Sequence, residues 1–120
     1  MSTSAHSLND ENILSSIKSM LLIDSSYSAY DEDIRMHINT ALSTLIQMGI
    51  GPIEGFSVLS GDEVWSDFVQ GKYDMQPVKT YVYLKVKMYF DPPQSSAHME
   101  AINSQLHELE VRLYTAAGGY

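Results

Sequence analysis

Cysteine is absent from this sequence of 120 residues, and basic residues are scarce. Without cysteine the chain forms no disulfide, offers no thiolate to a metal and has no thiol nucleophile, which fits a reducing compartment. Lysine and arginine number 7 against 15 aspartates and glutamates, for a net charge of −8. Proteins that chiefly bind the phosphate backbone of nucleic acids gather basic residues on one face. Nucleic-acid binding is therefore not expected as the main activity of this chain.

Long apolar runs and the sequence motifs of catalysis are absent as well. No stretch approaches the roughly 20 apolar residues that span a membrane, so no membrane association is expected. The phosphate-binding G-x-x-x-x-G-K-S/T and G-x-G-x-x-G motifs, the hydrolase motif G-x-S-x-G and the metal-binding H-E-x-x-H do not occur. We therefore expect a non-enzymatic protein that needs no cofactor and no metal.

One pair of side chains does have the spacing of metal ligands. Asp33 and His37 are four residues apart, so one helical turn would bring a carboxylate and an imidazole together. The other histidines, His6, His98 and His107, have no spacing that supplies a third ligand. A surface pair is therefore the better interpretation.

The segment Val78–Phe90 is the densest apolar and aromatic stretch of the chain and contains three lysines. Its even positions are mainly apolar and its odd positions from 79 to 89 are lysine or tyrosine, which is the period-two pattern of a half-buried strand. The other interpretation is a helix buried on more than one side, with lysine stems lying along apolar neighbours. Periodicity alone favours the strand, but no second strand of comparable length is available to pair with it.

Helical periodicity is clear in the rest of the chain, where apolar residues recur at steps of three and four. Ser7 and Asp10 form a capping-box-like start for the first helix. The acids Asp31–Asp33 stand where the dipole of the second helix favours negative charge, and Gly49 is expected to end that helix in the left-handed conformation. The predicted helices lie at about 13–21, 31–48, 62–69, 77–90 and 96–113.

These elements predict an all-α fold, a small bundle of four to five helices arranged around Val78–Phe90. A helical neighbourhood leaves a strand without a partner in the chain, so we assign this segment to a helix. The length suits a single domain over residues 1–120. Residues 1–9 and 114–120 are expected to be flexible or partner-docking termini.

Glycines and a proline punctuate the segment Gly49–Gly61, which predicts an ordered loop rather than regular structure. Phe56, Val58 and Leu59 are apolar, so we expect this loop to contact the core through them. The bundle is thus expected to include one ordered Gly/Pro loop.

Charge is distributed unevenly along the chain. Residues 1–77 carry eleven acids and three bases, residues 78–90 carry three lysines and no acid, and residues 91–120 carry four acids and one arginine. The lysines either form a solvated face that balances charge within the molecule or meet an acidic neighbour, such as another copy of the chain. Aromatic residues are expected in the core and at subunit interfaces, because the cationic groove that single-stranded nucleic acid requires is lacking.

The length and order of four stretches carry a resemblance to a known family. They are IRMHINTALSTLIQMGIGPIEGFSV at 34–58, VWSDF at 64–68, VKTYVYLKVKMYFDPP at 78–93 and SSAHMEAINSQLHELEVRL at 95–113. Together they are similar to the head-tail connector (adaptor) proteins of long-tailed double-stranded DNA bacteriophages. The similarity covers about Ile13–Leu113, and TYVYLKVKMYFDPP is its most specific part.

The resemblance implies a helical bundle that assembles into a ring, typically a dodecamer, beneath the portal protein in the virion neck. The ring would line part of the DNA conduit without binding DNA specifically and would be a platform for a head-closure or tail-completion protein. Assembly would take place in the host cytoplasm. The resemblance also implies that Val78–Phe90 is a helix, and that portal docking falls on the C-terminal residues Tyr114, Gly118, Gly119 and Tyr120.

A closed ring requires two different and complementary faces on each subunit. The candidate interface residues are Lys79, Tyr83, Lys85 and Lys87 on one side and Glu100, Glu108 and Glu110 on the other, with Asp31–Asp33 as an alternative acidic face. We expect a net negative lumen, because a channel that binds phosphates would hold the DNA. Two alternatives stay open: a head-closure or tail-completion protein of the same neck, and a small helical regulatory binding protein.

Overall fold

The computed structural model describes residues 12–119, and within them the chain forms five helices and no strand. The helices are α1 (Ile13–Met20), α2 (Asp31–Gln47), α3 (Trp65–Val69), α4 (Met75–Phe90) and α5 (Ser96–Ala116). An isolated antiparallel bridge joins Asn12 to Val64. The predicted all-α bundle is confirmed, and the segment whose residues alternate like a strand is helix α4.

Helix α4 is the centre of the fold, because it contacts each of the other four helices. Its buried residues are Val78, Tyr81, Val82, Leu84 and Val86. At about 100° per residue these five positions cover more than half of the helix circumference. The period-two pattern in the sequence therefore comes from a helix that is buried on several sides.

The two long helices on either side of α4 each bury one apolar stripe. The buried stripe of α2 is Ile34, Ile38, Ala41, Leu42 and Leu45, and that of α5 is Ile102, Leu106, Leu109 and Leu113. The sequence periodicity predicts the α2 stripe residue for residue. For α5 it also predicts Met99, which the structure leaves only partly buried. Each helix lies against α4, so burial of the stripes fixes the three-helix arrangement.

The end of α2 has the geometry expected of glycine. Gly49 has a φ of +100°, and its N–H donates to the carbonyl of Ile46 at 2.9 Å. The N–H of Ile50 donates to the carbonyl of Leu45 at 2.9 Å, which completes a Schellman motif. The predicted left-handed stop at Gly49 is confirmed.

Helix α1 begins at Ile13. The side chain of Asn12 accepts from the N–H of Ser15 at 2.8 Å, so Asn12 is the N-cap. The predicted capping residues Ser7 and Asp10 lie outside the described residues.

Helices α3 and α4 begin at other residues than predicted. Helix α3 starts at Trp65 rather than Asp62, because the carboxylate of Glu63 accepts from loop N–H groups instead of joining a helical turn. Helix α4 starts at Met75, two residues before Pro77. Proline remains compatible with that position, because N–H groups of the first helical turn have no partner within the helix.

The loop between α2 and α3 is held by a side chain of α2. Asn39 accepts from the N–H of Val58 at 2.7 Å and donates to its carbonyl at 3.0 Å. Val58 is buried, and the ring of Phe56 packs edge-on against Phe68 with centroids 5.4 Å apart. Leu59 is 74% exposed, so the prediction that it contacts the core is wrong. The N–H of Leu59 donates to the Glu63 carboxylate at 2.9 Å, so its backbone is held in the loop while its side chain lies in solvent.

Buried polar contacts join α3 to α1. The indole N–H of Trp65 donates to the hydroxyl of Ser16 at 2.7 Å, and that hydroxyl donates to the carbonyl of Ile13 at 3.1 Å. The N–H of Ile13 in turn donates to the carbonyl of Glu63 at 2.9 Å. Trp65 is fully buried and out of reach of water, so without Ser16 its indole N–H would have no hydrogen-bond partner.

Candidate interaction surfaces around the central helix

The lysines of α4 point to two different sides of the helix. At about 100° per residue, Lys79 and Lys87 are about 80° apart, whereas Lys85 is about 160° from Lys87. The structure therefore does not bring the three lysines into one basic patch. Tyr83 lies near Lys79 and Lys87 on the helix surface and is half-buried against the core.

Each of these lysines has a partner within the molecule. The ammonium group of Lys79 lies 5.9 Å from the centre of the Trp65 ring. The ammonium group of Lys85 lies 6.0 Å from the Tyr81 ring and 5.9 Å from the Tyr89 ring. All three lysines are half-buried, which fits cation–π contacts with stems lying along apolar neighbours.

The third lysine closes the end of α4. The ammonium group of Lys87 lies 3.4 Å from a carboxylate oxygen of Asp91 and donates to the Asp91 carbonyl at 3.1 Å. The carbonyl of Asp91 follows the last turn of the helix, where a cation also interacts favourably with the helix dipole. Part of the charge balance expected from the sequence is therefore made within the chain.

A tyrosine of α4 is fully buried and links α4 to α5. The hydroxyl of Tyr81 donates to the carboxylate of Glu110 at 2.9 Å. Burial raises the pKa of the Tyr81 hydroxyl well above its usual value, and the hydrogen bond to Glu110 raises this pKa further. Glu110 is thus used in packing α5 on α4, whereas Glu100 and Glu108 are exposed.

The acids at the start of α2 have different environments. Asp31 forms an ion pair of 2.7 Å with Lys18, whose side chain is only 4% exposed. The Lys18 ammonium also donates to the carbonyls of Ser25 at 3.2 Å and Tyr27 at 2.8 Å. Lys18 therefore fixes the connection between α1 and α2. The sequence offers one signal for this role, because Lys18 follows Leu14 by four residues and so shares its apolar helix face.

The ends of α2 and α4 carry a continuous row of aromatic rings. Tyr27 packs edge-on against Tyr30 with centroids 5.6 Å apart, and Tyr30 packs edge-on against Phe90 at 5.3 Å. Next to them, His37 stacks on Tyr89 with centroids 5.8 Å apart and ring planes inclined by 14°. Tyr89 is 63% exposed, so this row is open to solvent.

A pocket opens within this aromatic row. It is lined by Tyr30, Asp33, Tyr89, Phe90 and Asp91. We call it the Asp33 pocket. The loop 21–30 supplies one wall and the ends of α2 and α4 supply the others, so three separate parts of the sequence meet here. Local periodicity contains no signal for this meeting.

A second concave surface lies between the C-terminal halves of α2 and α5. It is lined by Thr44, Met48, His107, Glu110, Val111 and Tyr114. Val111 and Tyr114 are about half exposed. Tyr114 belongs to the last turn of α5, and the N–H of Gly119 donates to its carbonyl at 2.8 Å. Gly118 and Gly119 form the turn that ends α5, whereas Tyr120 lies outside the described residues.

Residues 12–119 contain no group of three histidines, cysteines, aspartates or glutamates that could hold a metal ion. His37 uses its ring to stack on Tyr89, and Asp33 lines the pocket beside it. Across the same part of the chain, no helix has the length and apolar character needed to cross a membrane.

Comparison with known proteins gives one finding. A family model described as phage connector protein matches residues 13–119, which is 107 of the 120 residues and includes all five helices. No curated protein and no solved structure matches the chain.

Proposed function

This chain belongs to the phage connector proteins, and from that premise we propose that it forms a closed ring between the portal and the tail. Membership makes it a structural component of the phage neck, which assembles with portal or tail proteins. The proposed ring is a dodecamer that continues the DNA conduit below the portal. On its other side it presents a platform for a head-closure or tail-completion protein.

The observation that carries the ring proposal is the spread of exposed apolar side chains over separate parts of the surface. Leu22 after α1 is 93% exposed and Ile53 in the loop between α2 and α3 is 95% exposed. Tyr89 on α4 and Val111 on α5 are also more than half exposed. A ring subunit needs two different contact faces, whereas a symmetric dimer needs one. Several separate apolar areas therefore support ring assembly with further partners above and below.

The acidic surface supports the role as a conduit. The chain has a net charge of −8, and Glu100 and Glu108 are exposed on α5. A negative lumen repels phosphates and lets DNA slide. We propose that the lumen-facing surface is net negative, and a ring with a basic lumen would contradict this part of the account.

The C-terminal end of α5 is the proposed portal-docking element. Tyr114 is exposed beside the groove between α2 and α5, and Gly118 and Gly119 turn the chain after the helix. Tyr120 follows immediately in the sequence. A tyrosine combines an apolar ring with a polar hydroxyl and so suits a partly wet contact on a partner, and the glycines allow the tight turn before it. The exposed Tyr114 is the anchor of this element.

The test combines the purified chain with purified portal rings and measures the mass of the products by native mass spectrometry and electron microscopy. We expect a complex that adds one closed ring of this chain to each portal ring. If the purified chain is a monomer alone but forms a ring on the portal, that result agrees with the proposal. A chain that binds only a complex already carrying another connector belongs one layer further from the head, and the portal-adjacent position is then wrong.

A second measurement examines particles assembled without this chain. We expect filled heads that lose DNA and bear no tails, because the platform for the next component is missing. Normal tailed particles would contradict a role in the neck.

A further inference from the structure

The Asp33 pocket has the chemistry of a binding site for a cation. Three aromatic residues line it, and Asp33 supplies a carboxylate at its edge. Within residues 12–119, the side-chain carboxylate of Asp33 has no hydrogen bond and no ion pair, whereas that of Asp91 is paired with Lys87. The faces of aromatic rings attract cations, and a carboxylate beside them adds direct charge pairing. The Lys85 ammonium already lies 5.9 Å from the centre of the Tyr89 ring, but no cation in the described part of the chain pairs with the Asp33 carboxylate. The pocket therefore has one carboxylate left for a positively charged group from outside the molecule.

A guanidinium group fits such a pocket better than an ammonium group. Its planar surface stacks on Tyr or Phe rings while its edge donates two parallel hydrogen bonds to one carboxylate. An ammonium group is more strongly hydrated and has no flat face. Tyr30 and Phe90 offer ring surfaces, and Asp33 offers the carboxylate. The ring of Tyr89 is already stacked on His37 and lies near the Lys85 ammonium. This chemistry points to an arginine side chain.

Most cations of the chain are already engaged within the fold. Lys18 and Lys87 are in ion pairs, and Lys79 and Lys85 lie on aromatic rings. Among the described residues, three basic side chains have no ion pair and no ring contact. They are Arg35, Lys72 and Arg112.

Arg112 is the one of these three placed for contact with a neighbour's pocket. It is exposed on α5 and lines a groove with Asp74, Pro77 and Thr80, near the N-terminal end of α4, and it forms no ion pair with Asp74. The Asp33 pocket lies at the C-terminal end of the same helix, about 14 Å further along its axis from Thr80. Arg35 is less suitable because it lies on the same helix as Asp33, at the pocket's own end of the molecule. Lys72 is less suitable because it carries an ammonium group instead of a guanidinium group.

We infer that Arg112 of one copy binds the Asp33 pocket of the next copy around the ring. This inference rests on the proposed ring and identifies the contact that joins neighbouring subunits. Cation and pocket lie at opposite ends of α4, so the contact is head-to-tail and leaves one free arginine and one free pocket on every complex that has not closed. Ring closure satisfies both.

The test uses two charge-reversal variants, Asp33→Arg and Arg112→Glu, and scores the amount of chain bound to portal rings. Each variant alone loses assembly, because like charges meet at every subunit contact. The concentration needed for half-maximal assembly rises by about tenfold or more. Lys72→Glu is the matched control, since it reverses an exposed cation outside the proposed contact and leaves assembly unchanged.

Mixing the two variants is the decisive arm. In an alternating ring, the arginine at position 33 of one variant meets the glutamate at position 112 of the other, and the next contact is the natural one. We expect the equimolar mixture to recover most of the assembly that neither variant shows alone. A change that only impairs folding would not be rescued by mixing, and thermal unfolding of each variant checks the fold independently.

The outcomes separate this inference from the proposed ring. If the natural chain does not join portal rings, the proposed function fails. If the natural chain assembles and Arg112→Glu assembles equally well, or if folded variants show no recovery on mixing, the Arg112 contact is wrong and the ring stands. If Asp33→Arg unfolds, the neutral variant Asp33→Asn replaces it, and undiminished assembly of that variant also overturns the contact.

Discussion

Replacing Lys18 with methionine tests the most buried ionic contact of the fold. Methionine keeps most of the apolar stem but removes the ammonium group, which pairs with Asp31 at 2.7 Å and donates to the carbonyls of Ser25 and Tyr27. These contacts hold the connection between α1 and α2 against the bundle. Their loss leaves one carboxylate and two carbonyls without their partner.

The magnitude follows from how much water can reach those groups. Removing one partner of a fully buried ion pair costs about 3–5 kcal/mol. The Asp31 side chain is 26% exposed, so water recovers part of this loss. We therefore expect Lys18→Met to lower the free energy of unfolding by about 2–3 kcal/mol. For a domain of this size, that corresponds to a decrease in Tm of roughly 8–15 °C.

A double-mutant cycle measured by chemical denaturation checks the reasoning. Because most of the cost comes from the carboxylate that is left unpaired, Lys18→Met combined with Asp31→Asn should cost less than Lys18→Met alone. The cycle then gives a coupling energy of about 1 kcal/mol or more. Lys72→Met, at an exposed loop position, is the control and should stay within about 0.5 kcal/mol of the natural chain. A loss below about 1 kcal/mol for Lys18→Met, or additive effects in the cycle, would refute the account of this contact.

Three further predictions concern single contacts. Tyr81→Phe removes the hydrogen bond to Glu110 and should cost about 1 kcal/mol. Because the pKa of Tyr81 is raised above its usual value of 10.0, the natural chain should lose stability as pH rises above 10, and more steeply than the variant does. An equal loss of stability with rising pH in both chains would contradict this. Burial opposes ionisation of Glu63, but the N–H groups around its carboxylate lower the pKa from 4.5 to about 2. The contribution of this carboxylate to stability is therefore present above pH 4.5 and is lost as pH falls toward 2. Glu63→Gln should be less stable at pH 7 by about 1–2 kcal/mol, and its denaturation midpoint should change less between pH 5 and pH 3; a midpoint that changes as much as in the natural chain counts against the capping role. Gly51→Ala should cost roughly 2–4 kcal/mol, because φ is +107° and the new methyl would lie 2.5 Å from the ring of Phe68. Gly55→Ala, at a φ of +106° with open space around it, isolates the backbone part and should cost about half as much; equal losses in thermal unfolding would show that the ring contact is unimportant.

The stripes of α2 and α5 could be predicted from the sequence, because each helix buries one face. A single buried face gives apolar residues at steps of three and four, and the residues expected on the α2 face are those that the structure buries. The stop at Gly49 was predictable for a similar reason, since a local conformational requirement selects glycine. These features depend on neighbours along the chain.

Helix α4 and the surfaces around it depend on contacts between distant segments. Because α4 is buried on several sides, its pattern resembles that of a strand, and only the helical flanks and the family resemblance identified it. Charge along the sequence indicated one basic patch, but the helical rotation separates Lys85 from Lys79 and Lys87. The Asp33 pocket brings together residues from loop 21–30, α2 and α4, so no local pattern could predict it.

The most direct test of the central claim is a cryo-electron microscopy reconstruction of the virion neck. We expect a closed ring of this helical subunit directly below the portal, with a net negative surface facing the DNA channel. A neck that lacks this chain, or that contains it without a closed ring, would contradict the claim.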